Sequence, residues 1–196
     1  MKKILVSFLI CLFMFLPDLV RSETLDNLVS REGIFYQKFS NVPFTGKISG
    51  IISGIIKNGK LEGLWTNYWE SGQLFQKGNY RNSLKEGDWV SYWEKGGILH
   101  EENYKNGKKE GPAVSYSLNG QLSGKGNYKN DMREGRWITY WDDGTVFFKA
   151  NYKNGLYEGY FIQYYTNGQV WREGNYKKGL EIGDWKKYDF DGRLVN

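Results

Sequence analysis

The chain has 196 residues, of which 40% are hydrophobic and 17% aromatic, so Tyr, Trp and Phe carry most of its apolar surface. Its formal net charge is +5, but Lys and Arg alternate with Asp and Glu without a block of one sign. This distribution argues against a nucleic-acid-binding protein, which would gather its basic residues on one element.

Residues 1–22 have the pattern of an export signal. Two lysines precede an apolar run from Ile4 to Leu16, which Pro17 ends. The run is shorter than the ~20 residues that a membrane-spanning helix needs. We therefore predict cleavage near Ser22 and a secreted or periplasmic protein, whereas an uncleaved segment would anchor the chain in the membrane. Cys11 is the only cysteine, so the mature chain would have neither a disulfide nor a thiol site.

The next segments differ from the rest of the chain. We predict a flexible tether at residues 23–29 and an N-terminal cap at residues 30–61. The cap would contain a hairpin and a shortened repeat, because Lys57-Asn58-Gly59-Lys60 matches the sequence of residues 105–108.

Residues 62–196 are repetitive. Tyrosine recurs every 12 residues from Tyr68 to Tyr188, eleven times without a miss, and two glycine series recur every 24 residues. Segments of about eight residues are bounded by pairs such as Asn167-Gly168, which accept the positive φ of hairpin turns. Twelve residues per strand and turn cannot hold a crossover, so neighbouring strands should be antiparallel. We predict an all-β repeat protein, an elongated single antiparallel β-meander of stacked hairpins with 24-residue repeats.

A two-residue loop at Ser71-Gly72 would set the register of this meander. It predicts Trp65 opposite Gly78 and Trp69 opposite Leu74, so that bulky rings cross a neighbouring backbone. At the other turn, the same register predicts four ion pairs of the kind Lys105–Glu110. We assign a structural role to Gly63, Trp65, Gly78, Tyr80, Trp89, Trp137, Phe161 and Trp185.

Pairing parity divides the aromatic residues between two faces of the sheet. Trp65, Trp69, Leu74 and Tyr80 and their equivalents should lie on one face, and Tyr68 and Phe75 and their equivalents on the other. The second ladder is less regular, so we predict that it is the contact surface for a partner. Its candidate binding residues are Tyr68, Phe75, Tyr92, Tyr140, Phe147, Tyr164 and Trp171.

One unit departs from the pattern. Pro112, Ala113 and Ser117 stand where other units have a non-proline residue and two tryptophans. This difference predicts a local bend or thinning of the sheet near residues 111–118.

The pattern Glu-Gly-x-Trp-x-x-Tyr-Trp-x-x-Gly-x-Leu, followed by Gly-Asn-Tyr-x-Asn-Gly, resembles the MORN repeat, and most closely the bacterial MORN-variant group. The resemblance covers roughly residues 33–196 and implies the β-meander fold. Members of the family are described as scaffolds, as binders of proteins or lipids, and as antitoxin components of toxin–antitoxin pairs. The resemblance implies no catalytic residue.

The sequence contains no arrangement typical of an active site. The only histidine, His100, is interpreted as a solvent-facing strand residue, and the Glu-Gly carboxylates recur with the repeat, as turn and cross-strand pairing residues would. The pair Asp142-Asp143 lacks the spaced oxygen ligands of a calcium loop. We therefore predict a protein that is not an enzyme and that has no catalytic residue, no metal and no cofactor.

Our leading hypothesis is an exported, non-enzymatic module that binds another macromolecule, a protein. Two alternatives stay open. One is a glycan- or cell-wall-binding module, and the same exposed aromatic rings would also suit a lipid headgroup. The other is an antitoxin-like immunity protein. The final strand, near Leu194, is predicted to be an open edge through which copies self-associate.

Overall fold

The computed structural model describes residues 22–195, so the predicted signal segment lies outside the described residues. The described chain is almost entirely β-structure. Its elements are β1 (Ser22–Glu23), a 3-10 helix (Leu25–Asn27), β2 (Leu28–Arg31), β3 (Ile34–Gln37), β4 (Gly46–Ile48), β5 (Ile52–Lys57), β6 (Lys60–Tyr68), β7 (Leu74–Arg81), β8 (Leu84–Tyr92), β9 (Ile98–Lys105), β10 (Lys108–Tyr116), β11 (Leu122–Lys129), β12 (Met132–Tyr140), β13 (Val146–Lys153), β14 (Leu156–Tyr164), β15 (Val170–Lys177) and β16 (Leu180–Lys187).

The strands form one long sheet. Fourteen strands follow the order β1-β4-β5 and then β6 to β16 in sequence, with β2 and β3 as a separate two-stranded ribbon. All neighbours from β4 onward are antiparallel, and only β1 pairs parallel, with β4. The predicted all-β meander is therefore confirmed. Within residues 22–195, no helix is long and apolar enough to cross a membrane.

One set of hairpin turns has two residues and the other has three. At Asn106-Gly107 both residues have positive φ, 51° and 80°, as a two-residue type I′ turn requires. At the other end, the backbone N–H of Gly72 donates to the Trp69 carbonyl at 2.9 Å, and that of Trp69 to the Gln73 carbonyl at 2.7 Å. This loop has one residue more than the predicted one, and Gly72 takes the positive φ of 84° that closes it.

The longer loop shifts the register near the turn. Trp65 pairs with Gly78 as predicted, but a β-bulge follows, and Tyr68 rather than Trp69 pairs with Leu74. The prediction for Trp69 was wrong because a three-residue loop needs an extra residue on one strand.

A second bulge lies at each Glu-Gly pair. Lys105 pairs with Lys108 instead of Glu110, and the register shifts before Ala113 pairs with Glu102. Gly111, with a φ of 90°, adopts the left-handed conformation at this shift. The predicted Lys–Glu pairing was therefore wrong in register, although Arg81 and Glu86 do approach to 3.7 Å.

The glutamates instead hold the turn of the next hairpin. The Glu110 carboxylate accepts a hydrogen bond from the backbone N–H of Asn130 at 2.9 Å, and the turn residue Asp131 donates its N–H to the Lys109 carbonyl at 3.0 Å. The same hydrogen bond, donated by a backbone N–H of the turn to a carboxylate, recurs from Asn82 to Glu62, Asn106 to Glu86, Asn154 to Glu134 and Lys178 to Glu158. Each carboxylate thus links its bulge to the following turn through a hydrogen bond.

One face, here called the tryptophan face, carries Trp65, Trp89, Trp137, Phe161 and Trp185 and holds the core. Each indole lies over a glycine of the preceding strand: a Cβ on Gly126 would be 2.2 Å from the Trp137 ring. Gly54 with Trp65, Gly78 with Trp89 and Gly174 with Trp185 repeat this contact. The predicted crossing of ring over backbone is found, but over the preceding strand and not the following one.

The tyrosines that share this face pack edge-on against the indoles. Tyr80 contacts Trp89 with ring centroids 5.0 Å apart, and Tyr128 contacts Trp137 at 5.2 Å. The indole N–H of Trp137 donates to the Asn127 carbonyl at 3.0 Å. The rings of this face therefore contact one another, and the Trp137 indole also bonds to the backbone.

The N-terminal segment covers the tryptophan face at one end. Leu28 and Phe44 are buried together with Ile48, Ile56 and Trp65. Residues 23–29, predicted as a flexible tether, contain part of β1, the 3-10 helix and the start of β2. This difference has a physical cause, since Leu28 supplies apolar surface where no preceding repeat is present to cover the core.

The edges and the irregular unit complete the fold. β10 is nine residues long, like β8 and β12, and pairs on both sides, so the strand continues without interruption to Tyr116. At the last strand, Leu194 folds back to pair with Tyr188, and Val195 donates to the Lys187 carbonyl at 2.9 Å. Self-association through the remainder of β16 stays a prediction.

Candidate functional site

The second face, here called the tyrosine face, carries Tyr68, Tyr92, Tyr116, Tyr140, Tyr164 and Tyr188. Between Lys60 and Lys187, none of the residues that point to this side is buried. All of the buried residues in that range point to the tryptophan face. The sheet therefore has one packed face and one open face, as expected for an antiparallel sheet with a single core.

Two rows of side chains cross the strands on the open face. In the first row, directly paired residues alternate between aliphatic or threonine side chains and charged ones as far as Glu173, which a second charged residue follows: Thr66, Lys77, Val90, Glu101, Val114, Lys125, Ile138, Lys149, Ile162, Glu173 and Lys186. The second row contains an asparagine in every second strand: Asn79, Asn103, Asn127, Asn151 and Asn175. Both rows run along the length of the molecule.

Two adjoining cavities lie on these rows. One, of about 300 Å³, is lined by residues of β10 to β12 that include Val114, Lys125 and Ile138. The other, of about 400 Å³, is lined by residues of β12 to β14 that include Lys149 and Tyr164. Arg136 lines both cavities, and the two together are here called the tyrosine-face groove. Its lining residues are Pro112, Ala113, Val114, Lys125, Gly126, Asn127, Arg136, Ile138, Lys149, Ala150, Asn151, Tyr160, Ile162 and Tyr164.

The groove is positively charged. Lys125, Arg136 and Lys149 line it, and in the described part of the chain no acidic side chain does. A third cavity on the same face, of about 540 Å³, lies at β4 to β6 and is lined by Lys47, Ile55 and Leu64 among others.

An acidic residue, Glu173 on β15, follows Ile162 in the first row. The Glu173 carboxylate accepts hydrogen bonds from the hydroxyls of Tyr160 and of Tyr188, the latter at 2.8 Å. The hydrogen bond from Tyr160 is the larger cause that lowers the pKa of Glu173, and the bond from Tyr188 adds to it. Desolvation, together with the bond to Glu173, raises the pKa of Tyr160 to about 12, so Tyr160 stays protonated at neutral pH.

The seven predicted binding residues fall into two groups. Tyr68, Tyr92, Tyr140 and Tyr164 lie in line on the tyrosine face, and of these only Tyr164 is among the residues that line the groove. The Tyr164 hydroxyl is 3.5 Å from the Lys149 ammonium.

Phe75, Phe147 and Trp171 lie instead beside the three-residue turns. Phe75 packs against Trp69 with centroids 4.4 Å apart, and Phe147 packs against Trp141 at 4.2 Å. Trp171 lies 6.0 Å from Tyr165. Trp69 and Phe75 were predicted on opposite faces, and that prediction was wrong because the turn bulge breaks the strict alternation of side chains.

Glu102 and Ala113 form a polar interruption of the tryptophan face, which the sequence reasoning missed. In the units that carry an indole on this face, a small residue of the preceding strand lies beneath it. Here Glu102 takes the position of that small residue, and Ala113 takes the position of the indole. The Lys109 ammonium is 2.5 Å from one Glu102 carboxylate oxygen, and the Tyr104 hydroxyl donates to the other at 3.0 Å. Desolvation is the main cause that raises the pKa of Tyr104, with Glu102 adding to it.

A cavity of about 330 Å³ lies beside this ion pair, lined by His100, Glu102, Lys109, Ala113, Val114, Ser115, Gly124, Tyr128, Arg133 and Trp137. His100, predicted to face solvent, is half-buried and lines the cavity, where burial lowers its pKa. The sequence did contain a signal for this cavity, because Glu102 and Ala113 both depart from the repeat and lie in neighbouring strands. Within residues 22–195, no group of three His, Cys, Asp or Glu side chains is placed to hold a metal ion.

Comparison with known proteins places the repeats in a described family. The family described as "MORN repeat variant" matches five consecutive segments, residues 61–82, 85–106, 109–130, 133–154 and 157–178. No curated protein sequence matches the chain. Among solved structures, the one titled "Crystal structure of GtfA/B complex bound to UDP and GlcNAc" is 14% identical with a TM-score of 0.23, and the match covers 76% of this chain and 28% of that one.

Proposed function

The chain belongs to the MORN repeat variant family, and from this premise we propose that it is a non-enzymatic binding module for an acidic, extended segment of a partner protein. The observation that carries the proposal is the tyrosine-face groove, whose two adjoining cavities share the cationic residue Arg136. A face without buried residues, crossed by a cationic depression, is a surface that lacks a partner within the chain.

The dimensions of the groove suit a polypeptide. It extends from β10 to β14, which is about 19 Å at the usual spacing between strands and matches about six residues of extended chain. Because the rows cross the strands, the partner would lie across the sheet and not add to its edge.

The chemistry of the lining suits a polypeptide that is acidic and partly apolar. Val114, Ile138 and Ile162 offer aliphatic contacts, and the Asn127 amide offers both a donor and an acceptor for peptide groups. Lys125, Arg136 and Lys149 would pair with carboxylates, and Arg136 does so best because its guanidinium can bind bidentately.

A charge-reversal experiment tests the proposal. We expect a fluorescent octapeptide that alternates Glu and Val to bind the protein more tightly than one that alternates Lys and Val, as measured by anisotropy. Arg136→Glu should weaken binding of the acidic peptide at least tenfold, which corresponds to about 1.4 kcal/mol. Binding should also weaken as salt is raised, since surface charges are screened.

The control is Lys57→Glu, which makes the same change of net charge at an exposed residue outside the groove. We expect that variant to bind like the wild type. Equal losses in the two variants, or equal binding of both peptides, would refute a specific acidic site. Tighter binding of an oligogalacturonate than of the acidic peptide would replace the protein partner with an acidic glycan.

We also propose that this binding takes place outside the cytoplasm. The support is the export pattern of residues 1–22 and its predicted cleavage near Ser22. Removal of residues up to Ser22 would leave the hydrogen bond from the Ser49 N–H to the Glu23 carbonyl, at 2.9 Å. N-terminal sequencing of the protein from the cell envelope or medium should give Glu23 as the first residue, and a chain that begins at Met1 there would contradict cleavage.

A further inference from the structure

We propose that the cavity beside Glu102 on the tryptophan face is a binding site for a small planar anion, an aromatic ring that carries a carboxylate. This site lies on the opposite face from the tyrosine-face groove and does not depend on the function proposed above. It occupies the place where the repeat omits an indole.

The shape of the cavity follows from that omission. Four units place an indole over the glycine eleven residues earlier, but here Ala113 stands in the indole position and Glu102 in the glycine position. The side chain of Ala113 is too small to fill the space, and a cavity of about 330 Å³ remains. A flat ring is therefore the group whose shape the repeat itself predicts for this space.

The walls of the cavity are suited to a ring. Trp137 and Tyr128 line it and contact each other edge-on at 5.2 Å, while Ala113 is only 6% exposed. A bound ring would add to the row of edge-on aromatic contacts that runs along this face. Such contacts contribute beyond the burial of apolar area alone.

The charges around the cavity favour an anion. Lys109 and Arg133 line it, and Glu102 is the single acidic side chain among its lining residues. The Glu102 charge is already matched by Lys109 and by the Tyr104 hydroxyl. Desolvation lowers the pKa of Lys85, Glu102 opposes this shift, and Lys109 adds to it.

Two groups are positioned to orient the ligand. The Arg133 guanidinium lies 4.7 Å from the Trp137 ring centroid and donates to the Tyr152 hydroxyl at 3.0 Å, which leaves further N–H groups for a carboxylate. His100 has a pKa lowered by burial, so at neutral pH it is uncharged and offers one donor and one acceptor. The result is a mixed apolar and cationic pocket at the unit in which Ala113 stands in the indole position.

The experiment uses three probes of similar ring size: indole-3-acetate, neutral indole and cationic tryptamine. By calorimetry we expect indole-3-acetate to bind at least tenfold more tightly than the other two. In NMR spectra it should shift the indole N–H signal of Trp137 and leave that of Trp171, which lies outside the cavity, unchanged. No binding of indole-3-acetate at millimolar concentration, or tryptamine binding as tightly, would overturn the proposal.

Two variants locate the site. Arg133→Gln should weaken indole-3-acetate at least fivefold, whereas Arg81→Gln, which removes an exposed guanidinium elsewhere, should not. The double variant E102G/A113W restores the pattern of the other units and fills the cavity, so it should abolish binding while the circular dichroism stays that of a folded sheet. If this filled protein still binds indole-3-acetate like the wild type, the cavity is not the site.

Discussion

Gly126→Ala is expected to destabilise the protein by about 3 kcal/mol, although it adds one methyl group to a strand residue without positive φ. The added Cβ would lie 2.2 Å from the Trp137 ring, a distance that no rotamer change of alanine can relieve. The indole must therefore move away from the strand. Overpacking of this kind costs about 1–3 kcal/mol, and the hydrogen bond from the indole N–H to the Asn127 carbonyl adds about 1 kcal/mol when it is lost.

Another unit of the chain indicates a second substitution that should rescue this variant. At Ala150, the small position already carries a methyl group, and the ring over it is Phe161 instead of tryptophan. Trp137→Phe should therefore recover part of the loss in Gly126→Ala, although alone it destabilises the wild type. Urea unfolding of all four proteins measures the coupling, which we expect to be at least 1.5 kcal/mol. Additive effects would mean that the close approach of ring and backbone does not limit this site.

At the polar interruption, we expect each of two single variants to destabilise the protein and the double variant to stabilise it. Ala113→Trp alone should destabilise by about 2 kcal/mol, because its indole would meet the Glu102 side chain in the place of a glycine. Glu102→Gly alone should cost roughly 1–2 kcal/mol, since the Lys109 ammonium loses its carboxylate and the cavity grows.

Together, the two changes should stabilise the protein by roughly 1–3 kcal/mol over the wild type, through burial of the new indole. Lys109 would not be left without a partner. Its equivalents, Lys85 and Arg133, lie over Trp89 and Trp137 at 4.0 Å and 4.7 Å, so the ammonium would gain a ring in the same way. Thermal and urea unfolding measure the cycle. A double variant less stable than the wild type would show that the polar cluster is not a substitute for the missing indole.

The sequence predicted the architecture because a strict period leaves few choices. Twelve residues per strand and turn required an antiparallel meander, and pairing small residues with rings placed Trp65 opposite Gly78 correctly. The turns were harder. Ser71-Gly72 is compatible with a two-residue or a three-residue loop, and the difference of one residue moved Phe75 beside Trp69.

The functional surfaces could be predicted only in part. Parity correctly placed Tyr164 on the open face, but a groove depends on the depth left between neighbouring side chains, and a one-dimensional pattern does not contain that depth. The polar cavity was missed for a different reason. Glu102 and Ala113 each read as a defect in the repeat, and only their adjacency across β9 and β10 shows that they replace a glycine and an indole as a pair.

The carboxylate bonds from one bulge to the next turn also bear on how such a molecule changes length during evolution. The recurring bonds reach 20 to 23 residues forward, and the indole contacts reach eleven residues back, so each unit meets only its neighbours. After duplication or deletion of a 24-residue block, each unit therefore still contacts the same kind of neighbour. The length of the sheet changes by two strands, about 10 Å. Selection can adjust the reach of the open face in steps of one block, while the local energetics of folding stay the same.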